Sequence, residues 1–219
     1  MAKVIIFGTK DFAQLAHFYL TKDSEHKVTA FTVDKGFLKE TKFLDLPVIE
    51  FEDIEKHYPP EKYKMFIPMS PLKLNEVRAQ KYLEAKKKGY LFINYISSRA
   101  TYYDTEVGEN CFIFENNVIQ PFTRIGNNVI IWSGNHIGHH SVIRDHCFIT
   151  SHAVISGHVT IGDYSFLGVN CTIRDGIAIG QKNIIGAGAL VTHSTNDGEV
   201  YPGNKSSASK IPSSELKDF

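Results

Sequence analysis

VGENCFIFENNVIQPFTRIGNNVIIWSGNHIGHHSVI, residues 107–143, carries an aliphatic side chain at every sixth position, and this spacing continues without interruption to residue 191. A period of six fits neither the 3.6-residue turn of an α-helix nor the simple alternation of a strand. It predicts a solenoid in which short strands meet at repeated corners and one aliphatic per segment points inward. The series consists of Val107, Ile113, Ile119, Ile125, Ile131, Ile137, Ile143, Ile149, Ile155, Ile161, Leu167, Ile173, Ile179, Ile185 and Val191.

The residues around each aliphatic agree with this register. Turn formers follow the aliphatics, as in Asn127-Asn128 and Asp175-Gly176, where Asn and Gly supply the positive φ that a tight corner needs. An ordinary all-β sandwich is disfavoured, because sandwich loops vary in length and would break a strict period. Small or medium side chains occupy the position two residues before most aliphatics, among them Cys111, Asn117, Ser141, Cys147, Ala153, Ser165 and Cys171.

Composition excludes several classes of function. The 219 residues include 24 basic and 24 acidic side chains, so no basic field indicates binding to nucleic acid or to an anionic membrane. No apolar run approaches transmembrane length, and the first residues do not resemble a signal peptide. The three cysteines all occupy inward positions of the repeat. They predict buried packing in a reducing compartment, and the cytoplasm is the expected location.

The first hundred residues follow a different pattern. Apolar runs predict strands at 3–8, 27–33, 64–68 and 90–94, and amphipathic segments predict helices at about 11–20 and 72–88. This alternation predicts a small parallel sheet covered by helices. We therefore expect an α/β domain at residues 1–100, a β-solenoid at 101–195 and a C-terminal tail at 196–219.

The turn after the first strand is a candidate nucleotide site. Gly8-Thr9-Lys10 joins the first strand to the first helix, and free N–H groups at a helix N-terminus suit phosphates. Only one of the three glycines of a GxGxxG motif is present, so the dinucleotide fingerprint is absent. A tight structural turn is the alternative interpretation.

The hexapeptide register behind a small α/β domain resembles a family of sugar acyltransferases. This family includes the sialic acid O-acetyltransferases and the bacterial enzymes that N-acetylate nucleotide-linked 4-amino sugars. The resemblance implies a Rossmann-like N-terminal domain followed by a left-handed parallel β-helix, with three hexapeptides in each triangular coil. It also implies that the N-terminal domain binds the nucleotide of the sugar, through Gly8, Thr9 and Lys10 and through Asp34 with Lys35 after the second strand. The alternative is that Asp34 only caps a loop.

Seven of the ten histidines lie in the predicted β-helix. Four of them, His140, His146, His152 and His158, lie three residues after an aliphatic, at corners where histidine tolerates positive φ. A structural role is expected for these four. Because one coil holds eighteen residues, His140 and His158 are expected on the same corner.

His139 has a different position in the repeat. It follows Ile137-Gly138, and the family's catalytic histidine follows a similar Ile-Gly-His stretch, so the resemblance implies that His139 is the general base. The family usually places an acidic residue next, to orient the imidazole, but this chain has His140. Either Asp145 replaces that acid or the base is less activated, and a purely structural role is the alternative interpretation of His139.

Gly157 lies eighteen residues beyond His139 and is therefore expected on the same corner, one coil along. A glycine there leaves a gap for an acyl group, and its N–H is a candidate to stabilise an oxyanion. A plain turn glycine is the alternative. Towards the C-terminus, Gly186 and Ala187 form a ridge poor in side chains that suits a pantetheine arm. Lys205 is a candidate for the phosphates of coenzyme A, or is a solvated lysine.

The resemblance further implies a homotrimer with active sites between neighbouring subunits. Trp132 and Phe114 occupy outward positions of the repeat and are predicted to contact a neighbour.

Together these features predict an acetyl-CoA-dependent N-acetyltransferase, without a metal, that acts on a nucleotide-linked 4-amino-dideoxy sugar for bacterial surface glycans such as O-antigen. The alternatives are an O-acetyltransferase of the sialic acid type and a non-catalytic nucleotide-sugar-binding module. An alcohol needs a stronger base than an amine, so the missing acid beside His139 favours the amine. A γ-type carbonic anhydrase is disfavoured, because its zinc ligands include two histidines five residues apart and this solenoid contains no such pair.

Overall fold

The computed structural model describes residues 1–203 and 205–215. Among these residues, no helix combines the length and the hydropathy needed to cross a bilayer. Short 3-10 turns lie at Lys35–Phe37, Phe51–Asp53 and Ser213–Glu215. The N-terminal elements are β1 (Lys3–Phe7), α1 (Asp11–Lys22), β2 (Lys27–Val33), β3 (Lys42–Phe43), β4 (Leu46–Glu50), α2 (Ile54–His57), β5 (Lys64–Phe66) and α3 (Glu76–Lys87).

The N-terminal sheet has the strand order β3-β4-β2-β1-β5, and β1 pairs in parallel with both β2 and β5. Val4, Ile5 and Ile6 are fully buried, as expected for a central parallel strand covered on both faces. Strand β2 therefore lies on one side of β1 and strand β5 on the other, so the direction in which strands are added to the sheet reverses at β1. Ligands bind open α/β sheets at such a switch point, outside the carboxyl ends of the strands.

Two N-terminal predictions are wrong in detail. Residues 90–94 form only an isolated bridge between Phe92 and Met65, because the chain already turns into the solenoid at Asn94. The Asn94 side chain bonds the Gly108 carbonyl and the Cys111 N–H. The antiparallel pairing of β3 with β4 was not among the predicted elements. α3 begins at Glu76 rather than near residue 72, because residues 73–75 adopt positive φ.

From Tyr95 onward, two-residue strands stack in parallel into the three faces of a β-helix. The first face contains β6 (Tyr95–Ile96), β9 (Phe112–Ile113), β12 (Ile130–Ile131), β15 (Phe148–Ile149), β18 (Phe166–Leu167), β21 (Ile184–Ile185) and β23 (Val200–Tyr201). The second contains β7 (Thr101–Tyr102), β10 (Val118–Ile119), β13 (His136–Ile137), β16 (Val154–Ile155), β19 (Thr172–Ile173) and β22 (Leu190–Val191). The third contains β8 (Glu106–Val107), β11 (Arg124–Ile125), β14 (Val142–Ile143), β17 (Thr160–Ile161) and β20 (Ala178–Ile179).

Through most of the β-helix strand partners lie eighteen residues apart, as in the pairing of Val118 with His136. The separation is shorter at the two ends, where Tyr95 pairs with Phe112 and Ile184 pairs with Val200. Pairing within the β-helix begins at Tyr95 and ends at Tyr201, so it extends slightly beyond residues 101–195 at both ends. The division into domains at residues 100 and 195 stays a prediction.

The predicted aliphatic column forms the core of the β-helix. From Ile113 to Val191 every member of the series is buried, and Val107 packs against the same cluster. The cysteines are free and buried in this core, as predicted. Burial raises the pKa of the Cys147 thiol to about 12, so the thiol stays protonated and behaves as a small apolar group.

The N-terminal part packs on the first face through α1. Phe12 contacts Trp132 edge-on, with ring centroids 5.8 Å apart, and Tyr19 contacts Phe114 at 5.2 Å. Trp132 and Phe114 stack on each other at 4.6 Å. The prediction that these two aromatics contact a neighbouring subunit is therefore wrong, because helix α1 of the same chain covers them.

Helix α3 is held against the corner between the third and first faces by a buried guanidinium. Arg78 is fully buried, and its Nη2 donates to the carbonyls of His146, at 2.8 Å, and Cys147, at 3.2 Å. Its Nη1 donates to Asn75 Oδ1 at 3.1 Å. Burial lowers the pKa of Arg78 to about 10, so the group stays a cation at neutral pH.

We expect Arg78→Leu to lower the free energy of unfolding by about 3 kcal/mol, because two buried carbonyls lose charge-assisted hydrogen bonds worth about 1.5–3 kcal/mol each. Chemical denaturation followed by circular dichroism measures the loss. The matched control is Arg124→Leu, which removes a guanidinium 3.7 Å from Glu106 at an exposed position. Exposed pairs contribute little, so equal stability of the two variants would contradict the role assigned to Arg78.

Candidate active site

One corner of the β-helix, between the second and third faces, brings several histidines together. We call it the histidine corner; it consists of residues 120–122, 138–140, 156–158 and 174–176. Phe122, His140 and His158 lie one above another along it, with centroid distances of 4.8 Å and 4.9 Å between successive rings, and only the two histidine rings are stacked. His140 and His158 adopt φ of 58° and 55°, so the prediction of a shared positive-φ corner is confirmed.

The backbone of His139 is fixed by neighbouring coils on both sides. Its N–H donates to Gln120 Oε1 at 2.9 Å, and its carbonyl accepts from the His158 N–H at 2.9 Å. Its side chain is exposed, and Nδ1 lies 3.1 Å from His140 Nδ1. One of the two nitrogens donates a proton to the other, so this contact couples the tautomers of the two rings. With Nδ1 as the donor, Nε2 keeps its lone pair.

Gly157 lies directly against the His139 ring. A Cβ on Gly157 would lie 2.9 Å from His139 Cε1, 3.0 Å from Nε2 and 3.1 Å from Asp175 Oδ1. The absent side chain therefore leaves a gap between the imidazole and a carboxylate. Within residues 1–203 and 205–215, no group accepts a hydrogen bond from the Gly157 N–H. The corner thus offers an exposed imidazole beside an amide donor, but the gap between them is too narrow for even one methyl group unless the imidazole moves.

Asp145 does not belong to this corner. It follows the third face, where its Oδ1 accepts from the Asn127 N–H at 2.7 Å, while its own N–H donates to Asp163 Oδ1 at 3.0 Å. Asp145 is thus one rung of a ladder of side chains that cap successive coils. The prediction that it orients His139 is wrong, because the period places it one corner further along the chain.

Other histidines of the β-helix have structural surroundings. His146 is buried, with Nδ1 2.9 Å from Asn128 Nδ2, and burial lowers its pKa. His152 packs over Gly134, where a Cβ would lie 2.5 Å from its Cε1. Both adopt positive φ, so the structural role predicted for these two corner histidines agrees with the geometry.

The predicted nucleotide site lies at the carboxyl ends of β1 and β2. Gly8 adopts a φ of 107°, and its N–H donates to the Thr32 carbonyl at 2.8 Å. Thr9 and Lys10 follow at the start of α1, with Lys10 exposed at the N-cap. These three residues thus occupy the switch point of the sheet.

Asp34 and Lys35 lie at the neighbouring strand end, but both are engaged by the protein. Asp34 Oδ1 accepts from Lys81 Nζ at 2.7 Å, and Lys81 belongs to α3. The Lys35 N–H donates to Glu52 Oε2 at 3.0 Å. Asp34 therefore lies at the crevice with one carboxylate oxygen already paired with the ammonium group of Lys81. Its second carboxylate oxygen has no partner among the described residues.

The predicted coenzyme A residues lie apart from the histidine corner within one chain. Gly186 and Ala187 belong to the corner between the first and second faces, and the C-terminal segment covers part of it. The Gly186 N–H donates to the Tyr201 carbonyl at 2.7 Å, and a Cβ on Gly203 would overlap the Ala187 oxygen. Lys205 is exposed, while the adjacent Asn204 lies outside the described residues.

One chain therefore brings His139 and Gly157 together, but not the remaining site residues. The nucleotide crevice belongs to the part that covers the first face, and the histidine corner is opposite that face in the triangular coil. Sequence reasoning missed His140 as the Nδ1 partner and Asp175 across the gap. Counting eighteen residues on from His139 gives Gly157, and counting eighteen more gives Asp175. The same count could therefore have predicted Asp175 at this corner.

Family models identify the repeats. The model "Bacterial transferase hexapeptide (six repeats)" matches residues 104–139 and 122–157, and "Hexapeptide repeat of succinyl-transferase" matches residues 158–193. Residues 104–193 are thus hexapeptide repeats of the transferase type. No curated protein sequence matches the chain significantly.

Solved structures share the complete fold. A His-to-Asn mutant of perosamine N-acetyltransferase from Caulobacter crescentus, in complex with CoA and GDP-perosamine, matches with a TM-score of 0.82 at 21% identity, over 91% of this chain and 93% of that chain. The acetyltransferase domain of PglB from Neisseria gonorrhoeae matches with 0.77 at 19% identity, over 91% and 96%. WeeI from Acinetobacter baumannii matches with 0.76 at 22% identity, over 93% and 97%.

At these identities the likeness establishes the fold. The predicted class is confirmed: an α/β N-terminal part followed by a left-handed parallel β-helix. The predicted resemblance to hexapeptide-repeat sugar acyltransferases is confirmed with it.

Proposed function

We propose that this chain is an acetyl-CoA-dependent N-acetyltransferase of a nucleotide-linked amino sugar. The premise is that residues 104–193 are bacterial transferase hexapeptide repeats. Solved structures with the same fold are described as bound to CoA and GDP-perosamine, or to acetyl coenzyme A. The acceptor we propose is the 4-amino group of a dideoxy sugar destined for a surface glycan. The buried, free cysteines support a reducing compartment such as the cytoplasm.

The observation that carries this proposal is the gap between His139 and Gly157. Nδ1 of His139 is engaged by His140, while Cε1 and Nε2 border the space that a side chain at 157 would fill. A thioester carbonyl bound on the solvent side of this pair would meet the imidazole of His139 and the Gly157 N–H together. This is the geometry that acyl transfer requires.

The proposed reaction proceeds through a tetrahedral intermediate. The neutral sugar amine attacks the thioester carbonyl, the C–N bond forms, and Nε2 of His139 accepts the amine proton. The carbonyl oxygen becomes an oxyanion that accepts a hydrogen bond from the Gly157 N–H. The C–S bond then breaks, and the departing thiolate takes the proton from the imidazolium. The products are the acetamido sugar and free coenzyme A.

The partner of His139 supports an amine acceptor rather than a hydroxyl. His140 offers only an imidazole nitrogen to the Nδ1 proton, whereas a carboxylate would stabilise the imidazolium and make His139 a stronger base. An alcohol loses its proton much less readily than the attacking amine does. O-acetylation is therefore the outcome that the following experiment must exclude.

The substrate sites support an assembly of several subunits, and we propose a homotrimer. In one chain, the crevice at Gly8–Lys10 and the base His139 lie on opposite sides of the β-helix. A neighbouring subunit would have to bring its crevice, or its Gly186–Ala187 corner, to the histidine corner. A monomeric enzyme with full activity, shown by light scattering at assay concentration, would contradict this arrangement.

The decisive experiment measures release of coenzyme A from acetyl-CoA with a thiol reagent, across nucleotide-linked 4-amino, 3-amino and non-amino sugars. Turnover with a 4-amino sugar alone would support the proposal and identify the substrate. Turnover only with a hydroxyl sugar would replace it with O-acetylation. Binding of a nucleotide sugar without any turnover or acetyl-CoA affinity would instead indicate a binding module.

A further inference from the structure

Three imidazoles of the histidine corner converge on one small volume. His139, His140 and His158 each offer a ring nitrogen, and these atoms all lie within 4.8 Å of one another. The rings of His139 and His158 meet edge to face at 5.0 Å, while those of His140 and His158 stack with an interplanar angle of 14°. All three side chains are exposed, so they can adjust and an ion can reach them from solvent.

One pair of these nitrogens already has the spacing of two ligands of a transition metal. The two Nδ1 atoms of His139 and His140 are 3.1 Å apart. With metal–nitrogen bonds of about 2.0–2.1 Å, that separation corresponds to an angle of roughly 100° at the metal, close to tetrahedral. Neutral imidazoles favour Zn²⁺, Cu²⁺, Ni²⁺ and Co²⁺ over Mg²⁺ and Ca²⁺, which prefer oxygen ligands. The Asp175 carboxylate across the Gly157 gap adds a nearby negative charge.

We propose that His139, His140 and His158 form a site for one divalent transition-metal ion per chain, with Zn²⁺ as the representative ligand. The sequence places His140 and His158 on the same corner but predicts no metal site, because it specifies no ring orientation for these two residues or for His139. Three protein nitrogens leave the fourth position of a tetrahedral ion for water.

Occupancy of this site switches off the proposed reaction, a consequence that rests on the proposed function. Coordination through Nδ1 removes the hydrogen bond between His139 and His140 and forces the proton of His139 onto Nε2. The nitrogen facing the Gly157 gap then has no lone pair to accept the amine proton. The ion thus acts as a reversible inhibitor, and a chelator restores turnover.

Binding is tested without any substrate, by titrating chelator-treated protein with Co²⁺ and recording its visible absorption. We expect saturation at one ion per chain, with the intense bands of a four- or five-coordinate site, and displacement by Zn²⁺. His158→Asn should weaken binding at least tenfold, because even indirect partners of a metal contribute about 10–100-fold. The matched control is His152→Asn, which changes an exposed histidine of the same backbone conformation at another corner.

Each outcome is decisive. Absence of saturable Co²⁺ binding, or equal affinity in the two variants, would overturn the site. Inhibition is measured as the Zn²⁺ concentration that halves turnover, relative to the metal-free rate of the same variant. This concentration should rise at least tenfold in His158→Asn and should not change in His152→Asn. Zn²⁺ binding without inhibition would overturn the proposed inhibition by the bound ion. Co²⁺ binding by a chain that acetylates no sugar would leave the metal site standing while the proposed function fails.

Discussion

His139→Ala should lower kcat for coenzyme A release by about 10²–10⁴-fold, the usual contribution of a general base. The Michaelis constant for acetyl-CoA should change little, because the imidazole acts on the attacking amine and not on the bound cosubstrate. The β-helix should keep its stability, since the exposed ring of His139 contributes no buried surface to the core. Steady-state kinetics with each substrate varied, alongside a thermal melt, measure both parts of this expectation.

His152→Asn is the control for this experiment. His152 is an exposed histidine with φ of 60°, a conformation that asparagine tolerates, and it packs at the corner between the first and second faces. Its substitution should leave turnover within a factor of about two, since surface changes away from functional groups have small effects. Unchanged turnover in His139→Ala would remove His139 from the mechanism.

His140→Asn provides a second test of the same site. It should lower kcat and leave the Michaelis constant for acetyl-CoA nearly unchanged, because His140 acts on the reaction only through the orientation and tautomer of His139. In a protein that already carries His139→Ala, His140→Asn should cause no further loss of kcat. A merely structural role for His140 would leave kcat unchanged in both backgrounds.

The sequence predicts those parts of the molecule that repeat. A coil of constant length places residues eighteen positions apart on the same corner, so the buried column and the stack of Gly157 on His139 follow from counting alone. The same arithmetic places Asp175 next along that corner. It also places Asp145 on the next corner, so the role predicted for Asp145 fails because it rests on closeness in the sequence and not on the period.

Contacts between the two parts of the chain do not repeat and could not be predicted in this way. Trp132 points outward from the first face, and nothing in its register distinguishes a neighbouring subunit from helix α1, which lies more than a hundred residues earlier in the chain. The Nδ1 contact between His139 and His140 depends on two side-chain rotamers. A six-residue period specifies the backbone position of a side chain but not its rotamer.

Gly157→Ala should lower kcat by roughly 10²-fold with little loss of stability, because a displacement of about 1 Å at a reacting group can cost that much. The backbone at Gly157 does not adopt positive φ, so alanine suits its conformation. The new methyl group would lie 2.9 Å from His139 Cε1 and 3.0 Å from Nε2, too close for the ring to remain in place. The exposed imidazole can rotate away, so the fold survives while the base leaves the gap.

Gly138→Ala is the contrasting substitution on the same corner. A Cβ there would lie 2.5 Å from the backbone nitrogen of Gly157 and 2.5 Å from the carbonyl carbon of Ser156, so only movement of the neighbouring coil would relieve the overlap. We expect Gly138→Ala to lower the melting temperature and Gly157→Ala to leave it nearly unchanged. Two equally destabilised variants would mean that Gly157 is needed for packing and not for the reaction.

A double-mutant cycle separates displacement of the base from other effects of the methyl group. If Gly157→Ala acts by moving His139, it should cause no further loss of turnover when His139 is already alanine. A further loss in the double variant would indicate that the methyl group also obstructs the acyl group or its oxyanion. Either result tests the central geometric claim, that the imidazole and the glycine amide lie side by side at the site of acyl transfer.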